Sequence, residues 1–168
     1  INYTGLIPRF LERFDPDMFL VAMPYTLMDQ DVLDEEFPLC ASRGIRVVIG
    51  SVFSSGITAT GGGSDAVYGY KSPSAEVFTK LNGIEAICTR YSVPMRAAAL
   101  QFPLFHPVVA TVIPGAIAPE HVTENAAMLT YPIPPEFWAT LKAEGLMHPR
   151  REERRVGKEG RSRWARGR

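Results

Sequence analysis

At 168 residues and 46% hydrophobic, the chain is long enough for one core-forming domain, and no apolar run approaches the ~20 residues of a membrane-spanning helix. Its formal net charge of zero hides an asymmetry. Residues 150–168, "RREERRVGKEGRSRWARGR", hold eight Arg and one Lys against three Glu, a net of +6, and the other 149 residues carry −6, so a nucleic-acid reading attaches only to the tail.

The elements follow in chain order. "YTGLIPRFLERF" places Leu6, Ile7, Phe10, Leu11 and Phe14 at helical spacing, with Thr4 as a cap. "DMFLVAM" (17–23) reads as a buried strand. Asp31 caps the next helix, which runs through Val32, Leu33, Phe37 and Cys40 to Gly44, and Pro38 should kink or split it. "IRVVIGSVF" (45–53) is a second strand, rich in β-branched residues. Residues 54–70 form a long Gly/Ser-rich loop, a length that is usually functional or mobile.

Residues 72–91 repeat apolar side chains at a 3.6-residue period, and Ser92 and Pro94 open a further helix through Met95, Ala98, Ala99 and Phe102. "PVVATVI" (107–113) is the third strand. Pro119 at the first helical position opens a helix to Leu129, and residues 133–146 supply a last amphipathic one. Strands that alternate with helices and are nearly continuous in apolar character imply a parallel α/β sheet covered on both faces. Three strands are few for such a sheet and the chain opens in mid-helix, so a fragment is expected.

In such folds ligands sit beyond the carboxyl ends of the strands. Three segments qualify: 24–30, 50–61 and 114–120. In the last, Gly115 lets the backbone approach a ligand, and the helix start behind it offers free N–H groups to a phosphate. A plain strand-to-helix turn, with Glu120 complementing the dipole, is the alternative. Ser51, Ser54, Ser55 and Gly56 suit a pyrophosphate or sugar oxygens. Tyr25 follows a strand, where it lines the mouth of the site or packs inside.

His106, His121 and His148 lack metal-ligand spacing, so no metal is expected, and His106 reads as a surface or cap residue. Cys40 and Cys88 read as small buried hydrophobes in a reducing, cytoplasmic compartment. No basic-then-apolar leader is visible. The 149–168 tail reads as disordered. Its wording, chiefly "EERRVGKE", resembles the conceptual translation of a sequencing adapter; a solvated natural tail and a nucleic-acid arm are the alternatives.

The segments "YTLMDQ", "CASRGIRVVIGSVFSSGI", "YSVPMRAAALQFPLFHPVVATVIPGA" and "PEHVTEN" stand in the order of the C-terminal half of an aldo-keto reductase. The chain resembles most the sugar 1-dehydrogenase group, of the L-fucose, D-arabinose and D-threo-aldose kind. The resemblance implies that residues 1–148 are the C-terminal part of a (β/α)8 TIM barrel, carrying its last three strands. It implies an NAD(P)-dependent oxidoreductase that oxidises an aldose at C1 to the lactone.

By the same resemblance Asn2 matches the asparagine on the nicotinamide carboxamide. Ser51 falls where many relatives place a stacking tyrosine, and Phe53, Ser54, Ser55 and Gly56 match the loop over the pyrophosphate. Gly115 and Ala116 replace a lysine and serine that hold a 2′-phosphate, and His121 replaces an arginine. Glu124 and Asn125 match the pair at the adenine. Lacking that clamp, the chain is expected to prefer NAD over NADP. The family's catalytic Asp, Tyr, Lys and His come from the absent first half, so no catalytic residue is assigned here. Tyr25, Tyr68, Tyr70 and Tyr91 are not promoted to that role, because no tyrosine is expected to have a lysine and a second partner in reach. The expected partner is a small sugar or aldehyde. The alternative is a non-catalytic half-barrel that binds or associates through its open edge, an unpaired strand at Asp17–Met23.

Overall fold

A computed structural model describes residues 1–63 and 65–149. The basic tail expected over 149–168 lies outside the described residues from position 150 on. Three short strands, β1 (Met18–Val21), β2 (Arg46–Ile49) and β3 (Val109–Val112), form a parallel sheet in the order β1-β2-β3. Each falls inside the apolar run that predicts it. Seven helices accompany them among the described residues: α1 (Leu6–Leu11), α2 (Glu36–Ser42), α3 (Ile57–Thr60), α4 (Ala75–Tyr91), α5 (Met95–Gln101), α6 (Pro119–Leu129) and α7 (Pro135–Ala143).

The helices are set by local chemistry. In α4 the Ser74 hydroxyl oxygen accepts the Val77 N–H, and Leu81, Ile84, Ile87 and Cys88 form the buried stripe. Pro119 and Pro135 occupy first-turn positions of α6 and α7, where the missing N–H is harmless. Pro38 does not kink a long helix. A 3-10 turn at Asp31–Leu33 ends first, and α2 begins at Glu36, which places Pro38 in its opening turn. The 54–70 loop contains a 3-10 turn at Ser54–Gly56 and the one-turn α3.

Thr4 does not cap α1. The cap position is Gly5, at φ +81° and without a side-chain bond. The partner comes from elsewhere: Glu36 Oε1 accepts the Gly5 N–H at 3.0 Å and the Ile7 N–H at 3.2 Å. Glu36 is itself in the first turn of α2 and is 3% exposed. One buried carboxylate therefore meets the positive ends of two helices, which offsets its desolvation. Nor does the chain open in mid-helix. The Ile1 amine donates to the Leu20 carbonyl at 2.7 Å and Ile1 O accepts from Ala22 N–H at 2.8 Å, so the first residue pairs with the edge of β1.

Only one face of the sheet is well covered, which corrects the reading of two covered faces. Phe19, Val21, Val47, Ile49 and Val109 are buried with the helix side chains Ile7, Leu11, Phe37 and Cys40 in one core. Phe19 meets the Phe10 ring of α1 at 6.3 Å. On the opposite face Met18 and Leu20 are each 55% exposed, because no described element lies over them. Both cysteines are buried and free, as expected. Burial, with the nearby Glu36 carboxylate as a smaller influence, pushes the Cys40 thiol up to about 11. Burial and then Glu85 push Cys88 up to about 12. No helix among the described residues is long and apolar enough to cross a membrane.

Glu36→Leu orphans the Gly5 and Ile7 N–H groups and should lower stability by about 2–3 kcal/mol. Glu36→Gln, which keeps an acceptor, should lose about half of that. Urea midpoints measure both, and equal stabilities for wild type and Glu36→Leu would remove the double cap from the account.

Candidate functional site at the strand exits

Val21 pairs with Ile49, and Ile49 with Val112, so the carboxyl ends of all three strands open on one edge. That edge is where parallel α/β sheets bind ligands. Asn2, exposed, follows the residue that pairs beside β1.

Beyond β1 the chain turns at Met23, φ +70°, and Pro24. The turn directs Tyr25 inward. Its ring is fully buried, 4.7 Å from Phe37, 5.2 Å from Phe102 and 5.9 Å from His106. Tyr25 is thus a core residue and does not line the mouth of the site: three rings complete an aromatic cluster that a ligand position would forfeit. His106, expected at the surface or as a cap, is the cap residue of the 3-10 turn Phe102–Phe105 and is buried in that cluster, with Nδ1 accepting the Val108 N–H at 3.2 Å.

The next residue, Thr26, joins two exits. Its fully buried hydroxyl accepts the N–H groups of Met28 and Asp29, both at 3.1 Å, and donates to Asp29 Oδ2 at 3.1 Å. The Ser54 hydroxyl, from the exit of β2, donates to Thr26 Oγ1 at 2.8 Å. Ser54 is 0% exposed, so its side chain is not open to a ligand as the sequence suggests; it ties the two loops together. Ser51, Ser54 and Ser55 lie at φ +49°, +49° and +62°, with Gly56 at +100°. Left-handed backbone at a non-glycine residue costs roughly 1–2 kcal/mol, and such strain concentrates at functional sites.

Ser55 is half-buried. Its oxygen accepts the Gly69 N–H at 3.1 Å and its hydroxyl points at Met23 Sδ, 3.9 Å away. Beside it opens a hollow of about 280 Å³, walled by Gly56, Thr60, Gly61 and Asp65 among others. Phe53, 9% exposed, lies under the guanidinium of Arg96, 5.6 Å from the ring centre.

At the third exit Gly115 and Ala116 are exposed, and a Cβ on Gly115 would meet nothing within 4 Å. No side chain caps α6, whose first turn carries Glu120. Asn125 is the buried residue of α6. Its Nδ2 donates to the Gly115 carbonyl at 3.4 Å, and its buried Oδ1 has no hydrogen-bond partner. Glu124, exposed, is ion-paired with Arg96, and His121 is half-buried.

A titratable cluster stands next to Thr26. Tyr68 donates its phenol proton to Asp29 Oδ1. Lys80, from α4, donates to the Met28 carbonyl at 2.8 Å and acts on Asp29 through its charge. Tyr68 thus has Asp29 as its partner, and the charge of Lys80 falls on that carboxylate. The electrostatics nevertheless oppose proton donation. Burial first, and then the Asp29 carboxylate, hold the Tyr68 phenol far above its usual range. Burial raises Asp29 and lowers Lys80. A good general acid needs the reverse shift on its phenol. Sequence reasoning missed this cluster and Arg96. Thr26 and Asp29, three residues apart, carry a local turn signal; Tyr68, Lys80 and Arg96 carry none.

A family profile described as "Aldo/keto reductase family" matches residues 6–144. The chain is 40% identical over 147 residues to a pyridoxal 4-dehydrogenase of Microbacterium luteolum, covering 88% of this chain and 43% of that protein. It is 37% identical over 147 residues to a D-threo-aldose 1-dehydrogenase of a Pseudomonas species, covering 87% and 44%. The chain thus spans less than half the length of these relatives. The apo structure of an aldo-keto reductase from Bacillus halodurans superimposes with a TM-score of 0.65 at 24% identity, over 95% of this chain and 52% of that one. That likeness shows the fold: a partial TIM barrel, whose uncovered face with Met18 and Leu20 corresponds to a barrel interior.

The Tyr68 contact has a pH signature. With its folded pKa raised above 10, Tyr68 stays protonated in the folded chain while the unfolded chain ionises, so stability is present below pH 10 and is lost as pH rises beyond it. Tyr68→Phe should flatten that alkaline loss in urea titrations between about pH 9 and 11; identical slopes for both proteins would contradict the contact.

Proposed function

This chain belongs to the aldo/keto reductase family, and we propose that it forms the coenzyme-binding part of an NAD(P)-dependent aldose 1-dehydrogenase. The observation that carries this reading is the alignment of three successive β/α exits on one edge, with left-handed serines after β2 and an open Gly115 before α6. The relatives' names support the reaction type.

The residues fit a dinucleotide on two internal grounds. Gly115 leaves its backbone open on the Cβ side, and Asn125 buries an acceptor, Oδ1, without a donor, as an exocyclic amine would supply. The dinucleotide, when bound, supplies a hydride acceptor at nicotinamide C4. The chain's own residues do the holding. Asn2 would orient the carboxamide, Ser51 the nicotinamide side, Phe53, Ser55 and Gly56 the pyrophosphate, and Gly115, Ala116, His121, Glu124 and Asn125 the adenosine. Ser54 serves from behind, through Thr26. The proton lost from the C1 hydroxyl of the sugar is assigned to groups outside this chain, since Tyr68 is held protonated by Asp29 and burial.

NAD is the coenzyme we assign. A 2′-phosphate adds roughly −1.5 to −2 charges, and the adenosine end offers it only Gly115, Ala116 and His121. Arg96, the cation the fold brings there, is already paired with Glu124. One observation favours a second reading, a non-catalytic half-barrel that associates through its sheet: the exposure of Met18 and Leu20. Absence of NAD binding together with dimerisation in sedimentation would support that reading.

In the full-length protein, kcat/KM should favour NAD over NADP by about tenfold or more, and Gly115→Lys should narrow the ratio. NADP preference in the wild type would overturn the coenzyme assignment. An unmoved ratio in Gly115→Lys would place the ribose 2′ position elsewhere.

A further inference from the structure

Arg96 belongs to none of the segments assigned to the coenzyme. It sits in α5, with its side chain only 22% exposed. Its guanidinium lies 5.6 Å from the centre of the Phe53 ring, and Nη1 donates to Glu124 Oε2. One side chain therefore joins the loop after β2, proposed to hold the pyrophosphate, to helix α6, proposed to hold the adenosine.

We propose that Arg96 is a positioning residue that preorganises the adenosine end of the site. The proposal rests on the coenzyme reading above. Glu124 is exposed, on a helix whose buried residue is Asn125 alone. Left to itself, such a long side chain samples many rotamers, and a ligand must order it on binding. Arg96 holds it before the ligand arrives. The same guanidinium, over the Phe53 ring, pins the start of the left-handed turn that contains Ser54 and Ser55. The ion pair also uses up the arginine's charge, so Arg96 orders the site without becoming a phosphate clamp. An exposed ion pair and a cation–π contact are each modest, so the effect is a tuning of affinity and not its source.

Isothermal titration of the full chain with NAD and with ADP-ribose tests this. Arg96→Met should weaken both by about three- to tenfold, Arg96→Lys should recover part of the loss, and Glu124→Gln should lose a similar factor while leaving the Phe53 contact in place. In the full-length protein KM for NAD should rise with kcat unchanged. Affinity for reduced nicotinamide mononucleotide, which lacks the adenosine, should stay at the wild-type value. Wild-type affinity for NAD in Arg96→Met overturns the proposal, and so does an equal loss for the mononucleotide, which would indicate general loosening. A wild-type chain that binds neither NAD nor ADP-ribose overturns the coenzyme reading itself, so the two failures are distinguishable; if Arg96→Met does not fold, the lysine and glutamine variants decide alone.

Discussion

The site depends on one buried hydroxyl. Thr26 Oγ1 accepts two backbone N–H groups from its own loop and the Ser54 hydroxyl from the next, and donates a hydrogen bond to Asp29. Without it those donors would be buried and unpaired, at about 1–3 kcal/mol each. With it, the exits of β1 and β2 are one unit. The left-handed serines after β2 are tolerable for the same reason: a strained backbone persists only where its surroundings over-determine it.

A second constraint is the one-sided core. Helices bury the outer face of the sheet, and the residues alternate accordingly, Phe19 and Val21 in, Met18 and Leu20 out. In a closed (β/α)8 barrel the other face would also be packed with side chains. The strand exits lie at the rim of the sheet, above both faces, so the three exits align on one edge while the face with Met18 and Leu20 stays open.

The charges separate into two groups with different duties. Asp29, Tyr68 and Lys80 are drawn together by the fold, yet their shifts all oppose charge: the phenol and carboxyl are raised and the ammonium is lowered, chiefly by burial. That pattern marks a clasp of Tyr68 and Lys80 on the β1 exit. Arg96 and Glu124 form an ion pair nearer to solvent, one that orders a surface.

How much was legible in the sequence follows from distance along the chain. The strands, the stripe of α4 and the proline start of α6 all rest on residues within one or two turns of each other, and local patterning identifies them. The three exits and their glycine and serine loops were legible for the same reason. The departures share a different cause. Glu36 caps a helix 29 to 31 residues away, Ser54 is taken by a threonine 28 residues earlier, and Tyr68 finds its carboxylate across 39. Tyr25, placed after a strand, leaves the mouth of the site and the interior both open as readings, and Phe37, Phe102 and His106 close around it. By itself, then, the sequence determined the strands, the longer helices and where the strands open. Only the tertiary structure decided which polar side chains face that opening and which are consumed in holding it, because a hydroxyl or carboxylate is satisfied by whichever partner the packing brings within about 3 Å, and no local pattern encodes that.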